Sequence, residues 1–393
     1  MTVLVERPPA SSLVRGPSAA LAGTFFLNGL VLASWVAHIP AVKAAHGLGD
    51  GPLGLVLLAM AAGAVAALPV AAGLVARWGS RAVTAGALGV LALALPAPLL
   101  APAPGLVAAG LALLGAASAT LDVGMNAQAV ALEAALGRPI LSRCHGLFSL
   151  GGLAGAALAS GAMGLGVPDR AHVAGVALAC LALIPGVQRS LLAAGPTPGP
   201  RPPIFAVPPR RLVGLGLLTF CALLAEGAIG DWSAVYLHDT LGAAPAASAA
   251  GFAAFSLAMA AGRLGGDHVL ARLGARRLLR GASAVAAVGL AAALGVGDPG
   301  LAIVGLGLVG LGLANAVPVL FGAAGRVGGI PPGTALAAVA TTGYGGFLAG
   351  PPLIGALADA AGLSVALGVV VAALALLAAG APALPCEAGR GRP

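Results

Sequence analysis

Charge is the scarcest commodity in this 393-residue chain: 8% of its residues are charged, where a soluble domain carries about a quarter. Aromatic residues make up 4%. Lysine is nearly absent, with Lys43 alone against a background of arginine. Four cysteines, Cys144, Cys180, Cys221 and Cys386, are scattered without CxxC or metal-ligand spacing, so the pattern points to no disulfide framework and no metal site. No GxxxxGK[ST] phosphate loop occurs, which excludes ATP hydrolysis through a Walker site. The first sixteen residues contain no apolar run before a small-residue cleavage site; no signal peptide is expected and the amino terminus is read as cytoplasmic.

Apolar residues fill the space that charge leaves. They make up 59% of the chain and recur in stretches of twenty or more, each long enough to cross a hydrocarbon core about 30 Å thick. Apolar runs between charged or Pro/Gly breaks predict spans near 19–42, 52–76, 82–101, 105–134, 142–166 and 171–192, then 212–238, 245–271, 278–296, 300–325, 333–358 and 362–384. The expected fold is therefore an all-α polytopic membrane protein of twelve transmembrane helices in two six-helix halves, 19–192 and 212–384. A cytoplasmic tail covers 1–18, a proline-rich cytoplasmic linker 193–211, and a second cytoplasmic tail 385–393.

The net charge of +8 does not signal nucleic acid, because the basic residues fall in short clusters between apolar runs, without a basic face or aromatics to stack bases. They follow the positive-inside rule instead. Twelve spans starting in the cytoplasm place Arg7, Arg15, Arg77, Arg81, Arg138, Arg143, Arg189, Arg201, Arg210, Arg211, Arg272, Arg276, Arg277, Arg280, Arg326, Arg390 and Arg392 on one side. Only Lys43 and Arg170 fall on the other, and Arg263 lies inside the eighth span. A wrong span count would invert part of this asymmetry, which argues for an inner (plasma) membrane protein with both termini cytoplasmic.

An internal repeat supports the two halves. Ala76-Arg77-Trp78-Gly79-Ser80-Arg81 recurs as Ala271-Arg272-Leu273-Gly274-Ala275-Arg276, each after the second span of a half. Six plus six spans, a linker and this repeated basic loop resemble the major facilitator superfamily along essentially the whole chain. The superfamily loop Gly-x-x-x-Asp-Arg-x-Gly-Arg-Arg is matched by Arg77, Gly79 and Arg81, with Ala76 where the acidic residue would stand. Arg263 and Asp267, one turn apart in the eighth span, are the candidate substitute pair, so Arg77, Gly79, Arg81, Arg272, Gly274, Arg276, Arg263 and Asp267 form the expected cytoplasmic gate.

Within the superfamily the chain resembles the fucose-permease branch through Phe25-Phe26-Leu27, Pro40, Pro69, Gly73 and Leu121-Asp122-Val123-Gly124-Met125-Asn126. That resemblance implies proton coupling at Asp122 and a substrate-facing place for Asn126. The acid that the branch carries late in its first helix has no counterpart at Trp35, Val36 and Ala37.

An ionisable group at mid-membrane costs about 2.5–3.5 kcal/mol on insertion scales, so each needs a reason. Ser118, Asp122, Asn126 and Glu133 share one helical stripe that should face a cavity between the halves. Glu226 is a second coupling candidate, set against an interhelical lock with the first or eleventh span. Asp231, about 140° away on an ideal helix, reads as a rim or gate residue. Neutral cavity candidates are Asn28, Asn126, Asn315, Thr341 and Tyr344, with Thr342 beside them. Trp35 and Trp232 occupy matching places and read first as interfacial anchors, with stacking on a substrate as the alternative. His145 and Ser149 are a turn apart, but no acid is placed to orient the histidine, and a solvated loop position is the default.

The sequence thus points to a secondary transporter, not an enzyme, without a cofactor, acting as a monomer in the lipid bilayer. Its expected cargo is a small polar solute such as a sugar, taken up by symport with protons, sodium being the alternative ion. Efflux by proton antiport is the rival, disfavoured by the scarcity of aromatics for a cavity. A membrane sensor or embedded enzyme is more remote, since neither an output domain nor a catalytic cluster is visible.

Overall fold

A computed structural model describes residues 10–193 and 203–384, with side chains from residue 16. The tail 385–393 lies wholly outside the described residues and the tail 1–18 and the linker 193–211 partly so; Arg7, Arg201, Arg390, Arg392 and Cys386 fall outside them. The described chain is helical throughout: α1 (Ala10–Val36), α2 (Ile39–Ala45), α3 (Asp50–Ala94), α4 (Ala97–Leu100), α5 (Pro104–Leu136), α6 (Leu141–Gly164) and α7 (Asp169–Ser190), then α8 (Arg210–Val235), α9 (Pro245–Val296), α10 (Pro299–Leu313), α11 (Ala316–Ala324), α12 (Pro332–Ala361), α13 (Leu363–Ala366) and α14 (Gly368–Gly380). A π turn, Tyr236–Thr240, extends α8 and a short 3₁₀ turn, Ala381–Ala383, follows α14.

Nine helical stretches among the described residues are long and apolar enough to cross a membrane. Two of them, Asp50–Leu100 and Pro245–Val296, run to 51 and 52 residues. At 1.5 Å per residue such a helix would be about 76 Å long, more than twice a hydrocarbon core. Neither is straight. The first breaks at Gly79 (φ 79, ψ 155) and the second at Gly274 (φ 74, ψ 160). Only glycine adopts this backbone region without strain, because it has no Cβ. The motif glycines are thus the points where each half turns its chain around.

The arginines beside them hold matching partners. The Arg81 guanidinium donates to the carbonyl of Gln188 at the end of α7, and that of Arg276 to the carbonyl of Leu384 after α14. In each half the repeated loop is therefore tied to the last helix of that half. Gln128 on α5 reinforces the first junction: its Nε2 donates to Ser80 Oγ (2.8 Å) and to the Leu192 carbonyl (2.9 Å).

Small residues set the helix spacing in the same paired manner. An added Cβ on Gly151 of α6 would strike the Phe26 carbonyl of α1, and one on Gly346 of α12 the Phe220 carbonyl of α8. Between the halves, α6 lies on α9 and α12 on the first part of α3, where Gly355 packs onto Gly51 and Gly54. Such close backbone approach gains dispersion contacts, the principal attraction between helices in lipid.

Candidate functional site

A cavity of about 380 Å³ lies between the two groups of helices. Its polar lining comes from both: Asn28 of α1, Ser118 and Asp122 of α5, Ser149 of α6, Glu226 and Asp231 of α8, Ser256 of α9 and Tyr344 of α12. A larger groove, about 640 Å³, runs over α3 and α5 alone. Its lining carries no ionisable side chain, so it lacks the groups a coupled transport step needs.

The three cavity carboxylates sit in different surroundings. Glu226 faces Arg263 of α9 across 3.7 Å. Arg263 also donates to Ser149 Oγ (3.0 Å) and to the His145 carbonyl (3.4 Å), tying α9 to α6. Asp122 and Asp231 form no ion pair among the described residues. Beside Asp122, Ser118 Oγ donates to Asn28 Oδ1 (3.2 Å), joining α5 to α1 inside the cavity wall.

Several expected residues lie elsewhere. Asn126 turns back on its own helix, its Nδ2 donating to the Asp122 backbone carbonyl (2.9 Å). Asn315 packs between α11 and α9, donating to the Gly262 carbonyl (3.0 Å) and lying against Gly266. Thr341 donates to the Ala337 carbonyl (2.7 Å) and accepts from Ala206 N–H (3.1 Å), which fixes the segment before α8 to α12. Glu133 caps the start of α6, accepting from the N–H groups of Ile140 (2.6 Å) and Leu141 (2.9 Å).

Four sequence readings are corrected. Arg263 pairs with Glu226 and not with Asp267, which is exposed and makes no ion pair among the described residues. This also gives Glu226 a partner on α9, neither of the two elements considered for it. Trp35 and Trp232 are 1% and 0% exposed, so they are not anchors in a membrane interface; α1 and α8 lie at the centre of the molecule, and Trp35 lines the cavity. His145 is half-buried, edge-on to Phe25, instead of solvated in a loop. Aromatics are concentrated where few were expected: Trp35, Phe148, Phe252, Phe255, Tyr344 and Phe347 line the cavity, out of nine Phe, three Trp and two Tyr in the chain. Ser149 remains unsuited to nucleophilic chemistry, since its hydroxyl donates to the His145 carbonyl (3.3 Å) and not to the imidazole.

A cluster at one end of the molecule had no forecast in the sequence. Lys43, after α1, meets Asp50 of α3 at 2.6 Å and Asp239, after α8, at 2.6 Å. His238 Nδ1 lies 2.7 Å from the other Asp239 oxygen. The Lys43–Asp239 pair connects groups 196 residues apart, one in each half of the sequence. Nearby, buried His38 stands 2.9 Å from the His172 ring and 3.3 Å from Asp169. The turns at Gly79 and Gly274 lie at the opposite end.

Comparison with known proteins gives this arrangement a family. No protein-family model matches the chain. An uncharacterized MFS-type transporter of Yersinia pestis is 40% identical over 303 residues, covering 77% of this chain and 78% of its own. The chain belongs to the major facilitator superfamily. Membrane protein MosC of Rhizobium meliloti is 35% identical over 309 residues, 78% of this chain and 74% of that protein. Among solved structures, the nucleoside transporter NupG superposes with a TM-score of 0.73 at 16% identity, over 93% of this chain and 98% of that one. The E. coli fucose:proton symporter FucP gives 0.64 at 15% identity, over 94% and 99%. At such identities the structures establish the shared fold. This facilitator is accordingly a multi-pass membrane transporter, and its inter-half cavity is its candidate transport site.

Proposed function

We propose that this transporter takes up a small polar solute, such as a sugar, together with protons, by rocking two six-helix halves about the central cavity. The observation that carries the proposal is the pairing, inside one cavity, of ionisable Asp122 and Glu226 with the neutral hydrogen-bonding groups of Asn28, Ser118 and Tyr344. A carboxylate that faces first one side and then the other carries a proton across with the solute. FucP is a fucose:proton symporter and NupG a nucleoside transporter, which accords with a hydroxylated cargo.

In this reading the chain divides into halves at 19–192 and 212–384, joined by the linker 193–211. Counting each broken helix as two and adding α12 gives twelve crossings. The arginine-rich turns then face the cytoplasm with both termini, the protein resides in the inner membrane, and the monomer is the working unit. The Lys43–Asp239 pair closes the external end, and Arg263 with Glu226 and Ser149 links the halves nearer the middle. The aromatic lining favours a second reading, proton-driven efflux of a less polar solute, because stacked rings accept apolar faces readily.

The test is a panel of solutes applied to proteoliposomes containing a trapped pH dye. Symport gives solute-driven acidification of the lumen; efflux by antiport gives solute-driven alkalinisation. Solute entry that needs sodium and leaves the dye unchanged would replace protons by sodium.

A further inference from the structure

We propose that the solute carries an ammonium group, and that Asp231 is its counter-ion. The inference rests on the transport reading of the cavity and assigns a substrate class to that same site. It begins with the charge balance. The acidic and basic side chains lining the cavity are Asp122, Glu226 and Asp231, all of one sign. Glu226 is met by Arg263 from α9 at 3.7 Å. Asp122 is the proton carrier of the proposed cycle. Asp231, half-buried in the cavity wall, has no ion pair among the described residues, and a carboxylate partly withdrawn from water is stabilised by a nearby cation. A cationic ligand supplies the missing partner.

A second, independent observation points to a bound molecule. The indole Nε1 of Trp35, a cavity-lining residue 1% exposed, has no hydrogen-bond acceptor. Buried indole N–H groups ordinarily find one. A hydroxyl oxygen on the solute would accept from it. The cavity aromatics complete the match, since rings in the lining, Phe252 and Phe347 among them, suit an ammonium group and its carbon skeleton. A hydroxylated amine satisfies all three features, whereas a neutral sugar leaves Asp231 unmatched. Gly227, four residues before Asp231, lets the Phe347 ring pack directly on the α8 backbone, which brings an aromatic ring into the same lining.

The test uses the full-length protein purified in detergent and matched pairs that differ only in charge: glucosamine with glucose, and choline with 3,3-dimethylbutan-1-ol. Binding is followed by thermal unfolding, where a ligand of the folded state raises the midpoint. The amine of a pair is expected to bind about tenfold or more tighter than its neutral partner. Asp231→Asn is expected to remove about thirtyfold of that affinity, and Asp231→Glu, which keeps the charge, to restore most of it. Equal affinity within both pairs, no response to either amine, or unchanged amine binding in Asp231→Asn overturns the assignment. The transport reading fails separately: an amine that binds but moves no protons in proteoliposomes leaves the ammonium site standing and removes proton coupling. Proton-coupled flux of glucose that glucosamine does not inhibit does the reverse.

Discussion

Asp239→Asn should unlock the Lys43 end of the protein by a calculable amount. Opening that end separates Lys43 from Asp239, while the Lys43–Asp50 contact travels within one half and is retained. Two charges about 4 Å apart interact by about 4 kcal/mol at an effective dielectric of 20, before screening by solvent and salt. The Lys43 and Asp239 side chains are 15% and 32% exposed. Water therefore screens the pair, and measured values for exposed pairs, up to about 1 kcal/mol, set the realistic scale. One kcal/mol corresponds to about a fivefold rise in the ratio of open to closed molecules at this end. Spin labels at Ala45→Cys and Thr240→Cys, read by double electron–electron resonance, would report the change as a growing long-distance population. Salt near 1 M, where the Debye length is about 3 Å, should raise that population in the wild type and bring the two proteins together. Unchanged distance distributions in Asp239→Asn at low salt would refute the reasoning.

Three further outcomes follow from the packing. Gly79→Ala and Gly274→Ala force a side chain into a glycine-only conformation and should each lower stability by about 1–3 kcal/mol in detergent unfolding, while Gly73→Ala, which meets nothing within 4 Å, should not. Gly151→Ala drives a methyl group into the Phe26 carbonyl and should cost about 1–3 kcal/mol by the same assay; Gly161→Ala, in open space, is its control. Arg263→Met strands Glu226, and because the two side chains are 15% and 24% exposed the loss should be about 1–3 kcal/mol, below the range for fully buried pairs. Adding Glu226→Gln should recover part of it, and a double-mutant cycle showing strict additivity would dismiss the interaction.

Much of the architecture was legible in the sequence because a membrane imposes one strong pattern. The expected spans 105–134 and 142–166 fall within two residues of α5 and α6, and the break between the second and third spans falls at the motif glycine. The site was harder to read. Ideal helix geometry turns Asp231 away from Glu226, yet both line the cavity, which helices of both groups surround. The tryptophans look like interfacial anchors by position along their spans. Which spans lie at the centre is a property of packing: the apolar windows of the α1 and α8 spans are 61% and 56% buried, against 17% for the α3 span. The contact between Lys43 and Asp239 joins α2 to the π turn after α8, 196 residues away, and no local pattern encodes it. The single lysine of the chain was the one available hint.

The most direct test of the central claim compares Asp122→Asn with the wild type in proteoliposomes, using a solute that moves protons in the panel. Accumulation against a gradient, driven by an imposed pH difference, should be lost in the variant, while exchange of labelled for unlabelled solute across the same membrane persists. Loss of uphill transport with retained exchange is the expected result; undiminished proton-driven accumulation in Asp122→Asn would contradict the account.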